Sequence, residues 1–210
     1  MLIKATKTKK ERNPAETREK LVGATVGLIL KQGFAATSVD QICTAAGVTK
    51  GGFFHHFENK EAIGRAAVEW WGGFGTQLYA EAWKDSALDP LTQLHQMLDI
   101  MTGFTERDEV CTCVVGMLSQ ELAQSHPAMR TECAHQLDVW TANVAKMLRE
   151  ARAQHQPQPD FDPEEAAWFL QSIWQGSMLI GKTRGMPGPA MIRRNIQFAH
   201  AWVDGLFGRA

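Results

Sequence analysis

The chain has 210 residues, 44% of them hydrophobic and 21% charged, with a formal net charge of −1. This composition excludes a disordered chain, a collagen-like repeat and a disulfide scaffold, and the length suits one or two domains. No run reaches the ~18 consecutive apolar residues of a membrane span. The opening MLIKATKTKKERNPAETREK has no apolar stretch for a secretory leader, so a cytoplasmic location is expected. Four cysteines (Cys43, Cys111, Cys113, Cys133) without CxxC spacing point to reduced thiols, and neither metal nor cofactor is expected. Charge is unevenly spread: residues 1–65 carry +5 and residues 66–210 carry −6. Either one end meets a polyanion, or a basic tail and a solvated face coexist by chance.

Residues 1–12 are polar and Lys-rich and read as a flexible basic arm. Asn13-Pro14-Ala15-Glu16 opens a first helix, with a capping Asn and Pro at the first helical position. Leu21, Ala24, Thr25, Leu28 and Ile29 follow at helical spacing, and Gly33 stops it. Ser38 and Gln41 form a capping box for a short second helix that ends at Gly47. Val48-Thr49 leads into a third segment, Lys50 to Phe57. Asn59-Lys60-Glu61 caps a fourth, through Ile63, Ala67 and Trp70, whose middle Gly72, Gly73 and Gly75 loosen or end. Three short helices with a Gly turn match a helix-turn-helix in length and punctuation.

Everything beyond Trp70 is helical in period. Asp89-Pro90 starts a helix with Leu91, Leu94, Leu98 and Met101 on one face. Cys113 to Gln124 continues, His126-Pro127 marks a break, and a long helix follows with Met129, Cys133, Leu137, Trp140, Val144 and Leu148. Asp162-Pro163 caps the next, with Gly185 as its stop, and a final helix carries Ile192, Ile196, Ala199, Val203 and Leu206. The expected fold is all-α, about nine helices. Residues 13–60 are expected to form the helix-turn-helix domain, whose connecting helix reaches about residue 74, and residues 61–210 a larger helical domain.

Residues 37–60, TSVDQICTAAGVTKGGFFHHFENK, resemble the DNA-binding segment of the TetR (tetracycline-repressor) family of transcription regulators. The resemblance covers roughly residues 14–70: the apolar stripe of the first helix, the GF before the second, the AAGV turn, the KGGFFHHF third helix and the NKEA start of the fourth. It implies DNA contacts at Ser38, Thr49, Lys50, Gly51, Gly52, Phe54, His55 and Lys60. Lys50, Gly52 and His55 are assigned to base edges and the rest to phosphate or positioning. The residue types suit this independently: a recognition helix entering a groove ~12 Å wide needs a slim face, which Gly51 and Gly52 supply. Many members carry Tyr where this chain has Phe54, which cannot donate to a phosphate. Phe53 and Phe57 read as core aromatics, His56 as packed or solvated, and Cys43 as a small buried hydrophobe.

The resemblance also implies a homodimer on double-stranded DNA with a palindromic operator, and a small-molecule effector. The last two helices are the expected dimer surface, with Phe169, Ile173, Ser177, Gly181, Ile196 and Val203; the alternative is that they cover the protomer's own core. Trp70, Phe104, Cys113, Met117, Trp140, Trp174 and Met178 either line an effector cavity or pack the core. Such a cavity would suit a hydrophobic, aromatic or electrophilic effector. The segment opened by Cys111 and Cys113 resembles that of a subgroup that includes cysteine-based electrophile and oxidant sensors, although many relatives with a similar segment have no redox role. The implied function is a sequence-specific regulator, a repressor released by its effector. An enzyme is disfavoured, because no HExxH or GxSxG arrangement exists. A DNA-coating protein would bind without sequence preference.

Overall fold

A computed structural model describes residues 13–84, 87–105, 112–183 and 190–209; the side chains of residues 81–83, 104 and 105 are not described. The described residues form nine α-helices and no strand: α1 (Pro14–Gln32), α2 (Val39–Ala46), α3 (Lys50–His56), α4 (Lys60–Lys84), α5 (Pro90–Thr105), α6 (Val114–Leu122), α7 (Pro127–His155), α8 (Pro163–Thr183) and α9 (Ala190–Leu206). The expected basic arm and the Gly185 stop lie outside the described residues.

The first three helices are set by local signals. The Asn13 side chain accepts from Ala15 N at 3.1 Å. Ser38 Oγ accepts from Gln41 N at 3.2 Å while Gln41 Oε1 accepts from Ser38 N at 2.8 Å, closing the capping box. Gly47 takes φ 64° and ψ 32°, a left-handed stop open to few other residues. These short helices then bury a small core of Leu21, Val22, Ile42, Phe53, Phe57 and Ile63. Each large apolar side chain buried there stabilises the fold by ~1.5–3 kcal/mol.

The fourth helix differs from expectation. Gly72, Gly73 and Gly75 neither end nor interrupt α4, which runs through Lys84. At Gly72 the end of the Gln136 side chain on α7 occupies the space a Cβ would take, 1.8 Å from Oε1. Tertiary packing outweighs glycine's cost of ~1 kcal/mol in a helix.

A second core joins the DNA-binding head to the rest. Val26 and Ile29 of α1 and Phe34 of the following turn pack with Val68 of α4, Leu118 of α6 and Met129 of α7. Gly64 permits this, since its Cβ would lie 2.6 Å from Phe34 Cε2 and 2.7 Å from Met129 Cε. The third core is built from α5, α7, α8 and α9 around Leu94, Met97, Leu148, Leu170 and Val203. On its flank, α5 and α9 are tied by polar groups. His95 and His200 face each other through Nδ1 at 2.7 Å, with His95 Nε2 3.0 Å from Asp204 and His200 Nε2 3.2 Å from Asp99.

The expected dimer residues divide here. Ser177, Gly181, Ile196 and Val203 are buried inside the protomer, where α8 and α9 pack on one another and on α5 and α7. Ser177 Oγ accepts from Asn195 Nδ2 at 2.8 Å. These four therefore belong to the core. Phe169 faces outward, with exposed Trp168, Leu179, Ile180 and Phe198, while Ile173 is half-buried against the same core.

Candidate nucleic-acid interface and effector cavity

Helix α3 presents one face inward and one outward. Phe53 is fully buried and Phe57 nearly so, whereas Phe54 is 51% exposed and meets Phe53 edge-on at 5.2 Å. Thr49 caps the helix by accepting from Gly52 N at 3.1 Å. Gly51 is exposed with open space where a side chain would be, so a surface can approach the backbone there. Gly52 is different. A Cβ on it would lie 2.8 Å from Val48 Cγ1 and 3.3 Å from Thr49 Oγ1, so the turn before α3 itself leaves little room for a side chain there. His55 is exposed and His56 half-buried, their rings 5.0 Å apart.

The two expected lysines part company. Lys50 Nζ lies 2.9 Å from Asp40 Oδ1, and both side chains are mostly in solvent. Hydrogen bonding to Asp40 raises the ammonium above its ordinary value. So α2 holds the Lys50 head in place with an exchangeable surface pair. Lys60 turns inward instead: its Nζ sits 4.4 Å from the centroid of the Phe34 ring and donates to Ala35 O at 3.3 Å. Burial pushes this ammonium below its usual value, with the Glu121 carboxylate opposing. Its side chain is engaged on the turn after α1.

That turn has another holder that no local pattern in the sequence signals. Glu121, on the last turn of α6, accepts from Phe34 N at 2.9 Å through Oε2 and from Ala35 N at 2.5 Å through Oε1. The α6 carboxylate thus grips the segment that leads to Ser38 and α2. The opposite end of α6 begins at Cys113, which occupies the N-cap position without a capping hydrogen bond from its side chain.

Cys113 also borders two cavities. The first lies between α4, α7, α8 and the start of α6, and Trp71, Tyr79, Trp140, Trp174, Asn143 and Gln175 contribute to its walls. The second is more open and is lined by Met117, Gln120, Glu121, Met178 and Lys182 among others. Cys113 and Gln175 border both. Burial raises the Tyr79 phenol well above its ordinary value, so it stays protonated. Burial likewise pushes the Cys133 thiol up to about 11, and the Cys43 thiol is raised for the same reason.

Against this geometry, the model of the bacterial regulatory proteins of the tetR family matches residues 21–67, and that of the tetracyclin repressor-like C-terminal domain matches residues 90–196. The chain belongs to the TetR family. It is similar to the transcriptional regulator AcuR of Cereibacter sphaeroides, 30% identical over 172 residues, covering 81% of this chain and 78% of that one. It is also similar to the transcriptional repressor NemR of Escherichia coli, 25% identical over 170 residues, covering 80% and 84%. A crystal structure of the regulatory protein TetR from Rhodobacter sphaeroides superposes with a TM-score of 0.79 at 27% identity, covering 88% of this chain and 97% of that one. As TetR-family members do, the chain carries a helix-turn-helix for DNA and acts as a transcriptional regulator.

Within this TetR-family chain, the expected cavity residues are only partly brought together. Trp140, Trp174 and Cys113 line the first cavity, while Met117 and Met178 line the second. Trp70 does not line either: it is 43% exposed and stacks on Phe74 at 5.6 Å, and its neighbour Trp71 faces the cavity. The phase of α4 decides this, because buried Val68 and Tyr79 continue the face of Trp71 and Gly72. The side chain of Phe104 and all of Cys111 lie outside the described residues. Among the described residues no group of His, Cys, Asp and Glu could hold a metal, and no helix is long and apolar enough to cross a membrane.

Proposed function

We propose that the chain is a dimeric, operator-binding repressor whose grip on DNA is loosened by a small molecule in the first cavity. Helix α3 enters the major groove, with Lys50 and His55 reading base edges and Gly51 admitting the backbone. Ser38 and Thr49 sit at phosphates, and Phe54 offers an apolar face to the groove wall. The observation that carries the reading is the span of α6. It starts at the cavity with Cys113 and Val115 and ends on Glu121, whose carboxylate holds the turn before α2. A ligand that prefers a displaced α6 shifts the population toward heads that no longer match the operator.

Dimerisation is assigned to the outer face of α8 and α9. Phe169, Ile173, Gly176 and Ile180 recur at helical spacing, and Gly176 has open space beside it. Phe198, 61% exposed, and Trp202, packed on Phe169 at 4.6 Å, extend the patch. Two heads joined this way suit half-sites ~34–36 Å apart. Cys113 supports a second reading for the signal, because its thiol borders both cavities: an electrophile or oxidant modifies it and moves α6 directly. If Cys113→Ser leaves electrophile-driven DNA release unchanged, that reading is wrong.

Selection from a random duplex library tests the main reading. An inverted repeat should emerge and bind at least ~10³-fold tighter than random DNA. Equal binding to all sequences would instead fit a DNA-coating protein.

A further inference from the structure

The reading head is nearly neutral, and the cationic charge of its end of the chain precedes the first helix. Residues 13–65 hold six Lys/Arg and five Asp/Glu, a net +1. Residues 1–12 hold five cations, Lys4, Lys7, Lys9, Lys10 and Arg12, against Glu11 alone, a net +4. Residues 66–210 carry −6, so the chain without its first twelve residues would stand at −5. A duplex with one phosphate per ~1.7 Å of axis would repel such a body at long range.

Most cations of the folded head are also engaged within it. Lys20 Nζ lies 2.6 Å from Glu16 and Lys50 Nζ 2.9 Å from Asp40, so each brings a carboxylate with it. Lys60 sits over the Phe34 ring, and the Arg18 guanidinium lies 5.4 Å from the centroid of the Phe57 ring. The place where residues 1–12 join the fold then decides where their charge can act. Asn13, Thr17 and Lys20, from the start of α1, line one cleft with Ala46, Gly47 and Val48 of the turn between α2 and α3. Thr49, the cap of α3, follows directly in the chain. The cationic stretch is therefore rooted beside the N-terminal end of α3. Covalent geometry lets twelve residues span at most ~40 Å, enough to follow a duplex through about one turn of ~34 Å.

We propose that residues 1–12 form a second DNA contact, in which their cations engage the phosphate backbone beside the groove entered by α3 and supply most of the salt-dependent part of the affinity. Phosphate contacts carry no base information, so this contact strengthens binding to any duplex and leaves the choice of sequence to α3. The inference rests on the reading of α3 as the DNA-reading helix and adds where the electrostatic attraction comes from.

The test compares the full-length wild type with a fivefold variant, Lys4→Gln, Lys7→Gln, Lys9→Gln, Lys10→Gln and Arg12→Gln, by fluorescence anisotropy between about 50 and 200 mM salt. The probes are a random-sequence duplex and the duplex selected from the random library. The variant should flatten the slope of log affinity against log salt by about four per bound protomer, and weaken both duplexes by a similar factor of tenfold or more. Its preference for the selected duplex should stay within about twofold of the wild type. A control, Lys20→Gln with Lys146→Gln, removes charge from the folded part and should change the slope by less than about one. The proposal is overturned if the fivefold variant keeps the wild-type slope, if the control flattens the slope as much, or if the variant loses affinity for the selected duplex alone. The random duplex carries the test even where no operator emerges. If the wild type binds neither duplex, the DNA reading itself fails and the proposal falls with it.

Discussion

The two ends of the molecule are held by different physics. In the head, α2 and α3 have 8 and 7 residues, too short to persist alone, and caps at Ser38 and Thr49 with a left-handed stop at Gly47 define them. In the sensor, α7 and α8 have 29 and 21 residues, and their positions follow from which faces they bury. The head is therefore specified by neighbours in sequence and the sensor by neighbours in space. Between them stands a junction that belongs to both, where Phe34, Gly64, Lys60 and Glu121 meet.

The comparison breaks most visibly at Gly64. Gly64→Ala drives a methyl group into Phe34 and Met129, and should cost ~1–3 kcal/mol in denaturant unfolding. Gly51→Ala, with open space around it, should leave stability unchanged and weaken only DNA binding. If both variants unfold alike, the junction is not the tight point described here.

The lysines sharpen the contrast within the head. Lys50→Ala should weaken operator binding by tenfold or more and lower the salt slope by about one. Lys60→Ala should leave that slope unchanged, since its ammonium is turned toward Phe34 and Ala35. An equal loss on operator and random duplex would make Lys50 a phosphate contact only. Asp40→Ala, which frees Lys50, should raise affinity for any duplex by a small factor, measured by fluorescence anisotropy.

The smallest effect belongs to the sensor. Burial holds the His200 imidazole below the ordinary histidine value of 6.5, with His95 adding to the shift and Asp99 and Asp204 opposing it. The unfolded chain then takes up a proton near that value which the folded chain accepts only at lower pH. Stability from this group is complete above the window and declines as pH falls through it. His200→Asn should flatten the loss of melting temperature between about pH 7 and 5, measured by scanning calorimetry.

Much of this arrangement is legible in the residues. The caps at Asn13 and Ser38, the Gly47 stop, and the buried stripe Leu91, Leu94, Leu98 and Met101 all follow from spacing, and so does the all-α class. For the proposed DNA contacts the residue types supply candidates at Thr49, Lys50, Gly51 and His55, which the structure leaves exposed on and before α3. The arrangement is not legible where a contact joins distant segments. Nothing near Glu121 announces that its carboxylate will meet Phe34 and Ala35, and nothing near Gly72 announces Gln136. Trp70 and Trp71 differ by a single step of helical phase, which only the packing of α4 resolves. Ile196 and Val203 carry the right apolarity for an interface, yet the same apolarity serves the protomer's core.

The most direct test of the coupling is one substitution read in two ways. With the selected duplex in hand, operator affinity and amide exchange at Phe34 and Ala35 are measured for the wild type and for Glu121→Ala. Both amides should lose protection in the variant while operator affinity falls together with it. Faster exchange with affinity unchanged, or unchanged exchange at both amides, would contradict the claim that α6 holds the reading head.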